Sequence, residues 1–168
     1  MHPVIEKIGT LYDEIDTVVR YLEQLHGTRL RCGRGCTSCC VDALTVWAVE
    51  AENIIIHCSD LLAAGDPHPT GACVFLDGAG ACRIYPWRPY VCRTQGLPLH
   101  WTEEHEDGAV VAYRDICPEN EPGIPVEELE EDSCWKIGPA EELLAAAQIE
   151  FGNGEMKRIA LRDLFEKS

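Results

Sequence analysis

A chain of 168 residues is long enough for one domain with a modest core, and 46% hydrophobic against 26% charged residues is the balance of a folded protein rather than a disordered one. The formal net charge of -15 excludes a sequence-independent grip on nucleic acid or anionic lipid, since both need a surplus of Lys and Arg. The outlier is cysteine, with ten in the chain and four of them between Cys32 and Cys40.

In chain order, the first segment carries acids where a leader would carry a basic start and an apolar run, and no stretch is long and apolar enough to cross a bilayer. The expected compartment is the cytoplasm, where thiols stay reduced and clustered cysteines signal metal or redox chemistry more than structural bridges. Val4, Ile8, Leu11, Ile15, Val18, Leu22 and Leu25 alternate at spacings of four and three, which predicts a long amphipathic helix over residues 1–27 ending near Gly27. Such a stripe packs on its own domain or pairs with a second copy, so a homodimer through this helix is an expectation. A second helix is predicted from Val46 to Ala63, with Trp47, Ala51, Ile54, Ile55, Cys58, Leu61 and Leu62 on one face. Cys58 lies in that stripe and reads as a small core residue, and His57 reads as a surface or capping histidine.

Cys73 to Tyr85 reads as a hairpin turning at Asp77-Gly78, with Leu76 opposite Ala81. That register puts Cys73 and Cys82 on one face as diagonal neighbours, roughly 7–8 Å apart at the backbone. Two further strands are expected near residues 97–101 and 109–113. After Gly138-Pro139 a third helix starts, with Glu141 and Glu142 at its positive end and Ala140, Leu144, Ala147 and Phe151 as its stripe. Gly152-Asn153-Gly154 ends it, and residues 156–165 close the chain as a short strand with a terminal turn. The runs around Glu103–Asp107 and Glu127–Asp132 read as solvated loops.

The chemistry sits in Cys32-x3-Cys36-x2-Cys39-Cys40, a run whose glycines let the backbone fold tightly. Soft thiolates suit a soft cation, and short intervening loops lower the entropic cost of gathering them. Neighbours in an extended chain point apart, so either one of Cys39 and Cys40 is spare or there are two metal positions. Six arginines (Arg29, Arg31, Arg34, Arg83, Arg88, Arg93) lie within four positions of a clustered cysteine, an arrangement expected to lower thiol pKa values. Tyr85, Trp87 and Tyr90 read as shielding aromatics.

Downstream follow Cys73-Val-Phe-Leu and Cys82-Arg-Ile-Tyr-x-x-Arg88-Pro-x-x-Cys92-Arg93, then Cys117. In these motifs and their order the chain resembles the cysteine-cluster family of zinc- or iron-chelating domains over roughly residues 30–120. The resemblance carries the family's cysteines onto Cys32, Cys36, Cys39, Cys40, Cys73, Cys82 and Cys92, with Cys117 as a later one, and its basic positions onto Arg88 and Arg93. Those eight cysteines are the expected metal ligands, and Arg88 and Arg93 the expected cofactor-contacting residues, with an equal reading of Arg88 in which it pairs with an acid or caps backbone carbonyls beside the proline turn. Departures are Val74, where proline commonly follows the first hairpin cysteine, and Trp47, which stands where a polar helix cap is usual. Cys58 and Cys134 fall outside the pattern.

The expected fold is thus α+β: a small single domain of three helices plus short antiparallel hairpins organised around a cysteine-ligated metal site. Residues 1–27 form its first helix, 30–120 its metal-binding core and 121–168 a terminal helix and strand. The expected cofactor is an iron-sulfur cluster (4Fe-4S) or Zn2+. Four thiolates satisfy zinc, eight exceed that need, and the Cys32-x3-Cys36-x2-Cys39 spacing matches the one that holds three irons of a [4Fe-4S] cluster in radical-SAM enzymes. The role would be structural or electron transfer. Flagellin lysine N-methylase is a larger relative in this resemblance, which implies methyl transfer as an alternative, although no glycine-rich nucleotide loop follows a strand. A thiol redox pair at Cys36 and Cys39 is the second alternative, without its usual βαβ surroundings.

Overall fold

In the computed structural model, which describes residues 2–166, the chain opens with a helix, α1 (Pro3–His26). Proline suits the first helical turn, His2 Nδ1 accepts the Val4 N–H at 3.3 Å, and Gly27 at φ 50° stops the helix. Its buried face is Val4, Ile5, Ile8, Tyr12, Ile15, Val19 and Leu22, whereas Val18 and Leu25 are 45% and 49% exposed. This corrects the seven-residue stripe. A four-three repeat assumes 3.5 residues per turn, and an uncoiled helix drifts about 20° per heptad from it. Burial therefore slides from Val18 to Val19 and brings in Tyr12. The face packs within its own domain, on Val49, Tyr90, Leu97, Trp135, Ala140 and Leu144.

The helix expected over 46–63 becomes three elements. Thr45–Trp47 is a strand, β1, followed by α2 (Ala48–His57), a break at Cys58, and α3 (Ser59–Ala64). The β-branched start of this stretch has a partner strand that local pattern does not reveal: Val46 lies opposite Ile159, from the strand over Arg158–Ala160 near the C-terminus. Cys58 is buried, and His57 stacks at the surface on Trp87 with centroids 3.7 Å apart.

The expected hairpin turn is also different. Leu76 bridges Cys82 rather than Ala81, a slip of one residue, and the two form an isolated bridge instead of a ladder. Asp77 causes it. Its carboxylate accepts the N–H groups of Ala79 and Ala81, both at 2.8 Å, and its own N–H donates to Ala81 O at 2.9 Å, so five residues are consumed by the loop.

Tyr90–Arg93 is a single helical turn, α4. The expected pair of strands is present as β2 (Leu99–Glu104) and antiparallel β3 (Val110–Asp115). Beyond them, β4 (Trp135–Lys136) runs parallel to β2; two residues leave no alternation to read. The third expected helix is α5 (Pro139–Phe151), and the chain closes with β5 (Arg158–Ala160), the partner of β1, and α6 (Asp163–Glu166). The protein is a small mixed helix-and-strand domain with two sheets, β1-β5 and β3-β2-β4, and six helices rather than three among the described residues.

Two apolar clusters share α2. Val49 faces the α1 cluster, while Ala51 and Ile54 face a second one built with Val74, Phe75, Ile84, Leu161 and Leu164. Between them Glu50, 4% exposed, accepts from Tyr12 Oη at 2.9 Å, the Tyr90 N–H at 2.9 Å and the Trp47 N–H at 3.1 Å. One carboxylate thus closes α1, α2 and α4 around a point. Removing it strands buried donors, so Glu50→Ala is expected to cost about 2–3 kcal/mol in urea unfolding, while Val18→Ala at the surface changes the midpoint by less than about 0.5 kcal/mol.

Candidate metal centre

Of the eight clustered cysteines, Cys92 alone lies in a helix, and the others sit on loops or at the isolated bridge. The loop from Cys32 to Cys40 folds through consecutive turns: the Cys36 N–H donates to Gly33 O at 3.0 Å and the Cys40 N–H to Thr37 O at 2.9 Å. Asn120 fixes its start against two other segments. Its Oδ1 accepts the Arg31 N–H at 2.9 Å, its Nδ2 donates to Gly96 O at 2.6 Å, and the next N–H, of Glu121, donates to Arg29 O at 2.9 Å. Gly96 makes the fit possible, because at φ 89° a Cβ on it would lie 2.6 Å from the Cys32 Cβ.

These tethers bring Cys32, Cys36, Cys39 and Cys117 onto one cavity of about 330 Å³, shared with Ser38, Leu97 and Glu119. A different neighbourhood receives the rest. The Cys73 N–H donates to Cys40 O at 2.8 Å, Cys82 is bridged to Leu76, and Cys40, Cys73 and Cys82 all pack into the second apolar cluster. Cys92 faces this group from α4, where Cys73, Cys82 and Cys40 all act on its thiol. The sulfurs of Cys39 and Cys40 are within hydrogen-bonding reach of each other, at the seam between the two neighbourhoods. Cys58 and Cys134 remain in the core.

Thiol electrostatics runs opposite to the expectation from nearby arginines. Burial pushes the Cys32 thiol up, and Cys39, Cys36 and Cys117 push the same way, with Arg88 pulling weakly against them. Cys40 rises to about 12 through burial and then the proximity of Cys39, Cys73 and Cys82. Cys39, Cys73, Cys82 and Cys92 are raised too, burial first in each case. The arginines fall short because they are engaged elsewhere. Arg31 pairs with Glu121 and Arg93 with Asp16 at 2.6 Å, and Arg83 donates to the carbonyls of Phe75 and Val74. Arg88 donates to Tyr85 O at 2.8 Å and stands 3.9 Å from Asp16, yet its buried Nε finds no hydrogen-bond partner, and its charge acts on both Cys32 and Cys82. Asp16, which organises Arg88 and Arg93 from α1, gave no sequence signal beyond being one acid among many.

All ten cysteines carry free thiols. Among the described residues, no three His, Cys, Asp or Glu side chains already stand at metal-holding distances. The donor chemistry nonetheless fits a soft cation: four thiols border one cavity, and a single rotatable bond separates each sulfur from its backbone. The family model described as "Putative zinc- or iron-chelating domain" matches residues 31–118, a stretch that contains all eight of these cysteines together with Arg88 and Arg93. The chain belongs to this family. No curated protein and no solved structure matches it. Membership makes zinc or iron chelation the function suggested for the domain, with the cysteine loops as its matched portion. No helix among the described residues is long and apolar enough to cross a membrane.

Two outcomes follow from this geometry. Gly96→Ala forces a clash and a disfavoured φ beside Cys32, with an expected loss on the order of 1–3 kcal/mol in urea unfolding and faster alkylation of Cys32. The raised thiols favour the neutral form in the folded state. Metal-free protein therefore keeps that contribution below the ordinary thiol value of 9.0 and loses it as pH climbs toward the Cys40 value of about 12. A urea midpoint that rises with pH across this window would contradict it.

Proposed function

We propose that the domain holds an iron-sulfur cluster or zinc through thiolates drawn from Cys32, Cys36, Cys39, Cys40, Cys73, Cys82, Cys92 and Cys117. The observation that carries this reading is the cavity bordered by four of those thiols inside the family-matched stretch. Such a cavity has room for a multi-atom cluster, and with the Cys32-x3-Cys36-x2-Cys39 spacing this favours iron-sulfur at that position, with zinc as the second reading. The bound centre supplies cross-links between loops and, as a cluster, a site for electron transfer.

The protein's own residues prepare for such a group. Arg88 keeps an unpaired buried Nε, and its charge reaches thiols on both sides, so it offsets negative charge when those thiols ionise. Arg93 positions it through their common partner Asp16. A thiol redox role for Cys36 and Cys39 is weakened by the raised Cys39 thiol, since an attacking cysteine is served by a lowered one.

Cobalt(II) added to reduced, metal-free protein tests the reading. Intense sulfur-to-cobalt absorption is expected, with protons released because raised thiols must ionise to bind. Apparent affinity should climb with pH through neutrality, by up to about tenfold per pH unit for each proton displaced. Absence of sulfur-to-cobalt bands at saturating metal would overturn it.

A further inference from the structure

We infer that the eight cysteines form two separate four-thiol sites, an outer one of Cys32, Cys36, Cys39 and Cys117 and an inner one of Cys40, Cys73, Cys82 and Cys92. This rests on the thiolate reading above and goes beyond it in assigning ligands, number and unequal roles.

The division follows from where the chain puts each sulfur. Cys32, Cys36, Cys39 and Cys117 border the same cavity, while none of the other four does. Their convergence is enforced by Asn120, which ties the start of the Cys32 loop and Gly96 to the segment just after Cys117, and by Ser38 Oγ, which donates to Glu119 Oε1 at 3.4 Å. The other four belong to a different layer. Cys40 and Cys73 are joined by a 2.8 Å backbone hydrogen bond, and Cys40, Cys73 and Cys82 line the second apolar cluster beside Phe75 and Ile84. The two loops carrying Cys40 and Cys73 are clamped together again through Asp42, which accepts from the Gly71 N–H at 3.0 Å and pairs with Arg162 near the C-terminus.

Electrostatic coupling divides the same way. Cys32 is influenced by Cys39, Cys36 and Cys117, and Cys92 by Cys73, Cys82 and Cys40 before Cys39, while Cys40 is influenced first by its chain neighbour Cys39, across the boundary, and then by Cys73 and Cys82. Cys39 and Cys40 are adjacent in sequence and in contact, so the boundary between the sites falls on one peptide unit. This resolves the Cys-Cys pair without leaving either residue spare.

The two sites have different surroundings. Cys32 and Cys39 are exposed, and their cavity opens to solvent. Cys73 is buried, and Cys40 and Cys82 pack against the same core cluster. The inner site therefore acts as a staple that joins the loops to the second apolar cluster, and the outer site is the one where metal exchanges or electrons pass.

Zinc(II) added to the reduced, metal-free full chain provides the test, with native mass spectrometry counting bound ions and maleimide labelling mapping protected thiols. Two zinc ions per chain are expected. At one equivalent, protection should cover Cys40, Cys73, Cys82 and Cys92, and at two it should extend to Cys32, Cys36, Cys39 and Cys117. The Cys32→Ser/Cys117→Ser double variant should lose one zinc, keep the other and retain its near-ultraviolet circular dichroism. A chelator should strip the wild-type chain in two phases, outer thiols unmasked first. One zinc per chain with protection drawn from both sets, or loss of both ions in the double variant, would overturn the division while leaving metal binding intact. If that variant fails to fold, the wild-type protection order decides alone. No zinc uptake by the wild type would remove the thiolate reading itself.

Discussion

The constraint on which this domain depends is that most of its clustered cysteines sit on chain with almost no backbone ladder of its own. Residues 30–44 contain no helix or strand, and the stretch from 65 to 84 has only the Leu76–Cys82 bridge. Order there must be imposed from outside, and a few polar side chains supply it. Asn120 ties the loop start to Gly96. Asp42 and Arg162 secure its far end, with Arg162 also donating to His68 O at 3.0 Å and Ala72 O at 3.2 Å. Glu50 and Asp16 hold α4, and with it Cys92 and Arg93, against α1. The apolar clusters form the frame, and these bonds decide where the sulfurs lie.

That arrangement carries an electrostatic penalty that a bound cation would relieve. Raised thiols gathered in two partly buried neighbourhoods resist ionisation, because each thiolate is desolvated and repelled by the next. The arginines relieve it only in small part, through Arg88, since most are satisfied by carboxylates and carbonyls. In the proposed reading a bound metal would reverse the balance, because the same crowding that disfavours isolated thiolates offers several donors to one positive charge. The excess of acids, a net charge of -15, gives the thiolates no support.

Much of this was legible in the residues. The first and third helical patterns, the β2–β3 pair, the closing strand and turn, and the glycine stops at Gly27 and Gly152 follow from periodicity and caps, and the second pattern holds only in part, as α2 and α3. The departures have physical causes. Val18 and Leu25 left the buried face because a straight helix does not keep a heptad register. Asp77 lengthened the hairpin loop through two side-chain bonds that a turn signature does not encode. β1 depends on a partner more than a hundred residues away.

The cysteines themselves were visible as a set, and the Cys39-Cys40 pair raised two metal positions as one alternative, but which cysteines share the cavity and which share the second apolar cluster was not, because spacing along the chain says nothing about which sulfurs share a layer. The polar tethers were invisible for a similar reason. Asn120, Asp16 and Arg162 look like ordinary surface residues until distant segments meet at them. Arginine proximity in sequence pointed the wrong way for thiol acidity, because carboxylates and carbonyls capture those guanidinium groups; for Arg88 alone the residues also offered that outcome, an acid partner and a capped carbonyl, and the structure has both.

X-ray absorption at the edge of the metal carried by anaerobically purified protein tests the central claim most directly. A shell of sulfur scatterers at about 2.3 Å, as thiolate ligation of zinc or iron requires, is the result this account predicts. A shell made of oxygen or nitrogen, or a folded protein that carries no metal, would contradict it.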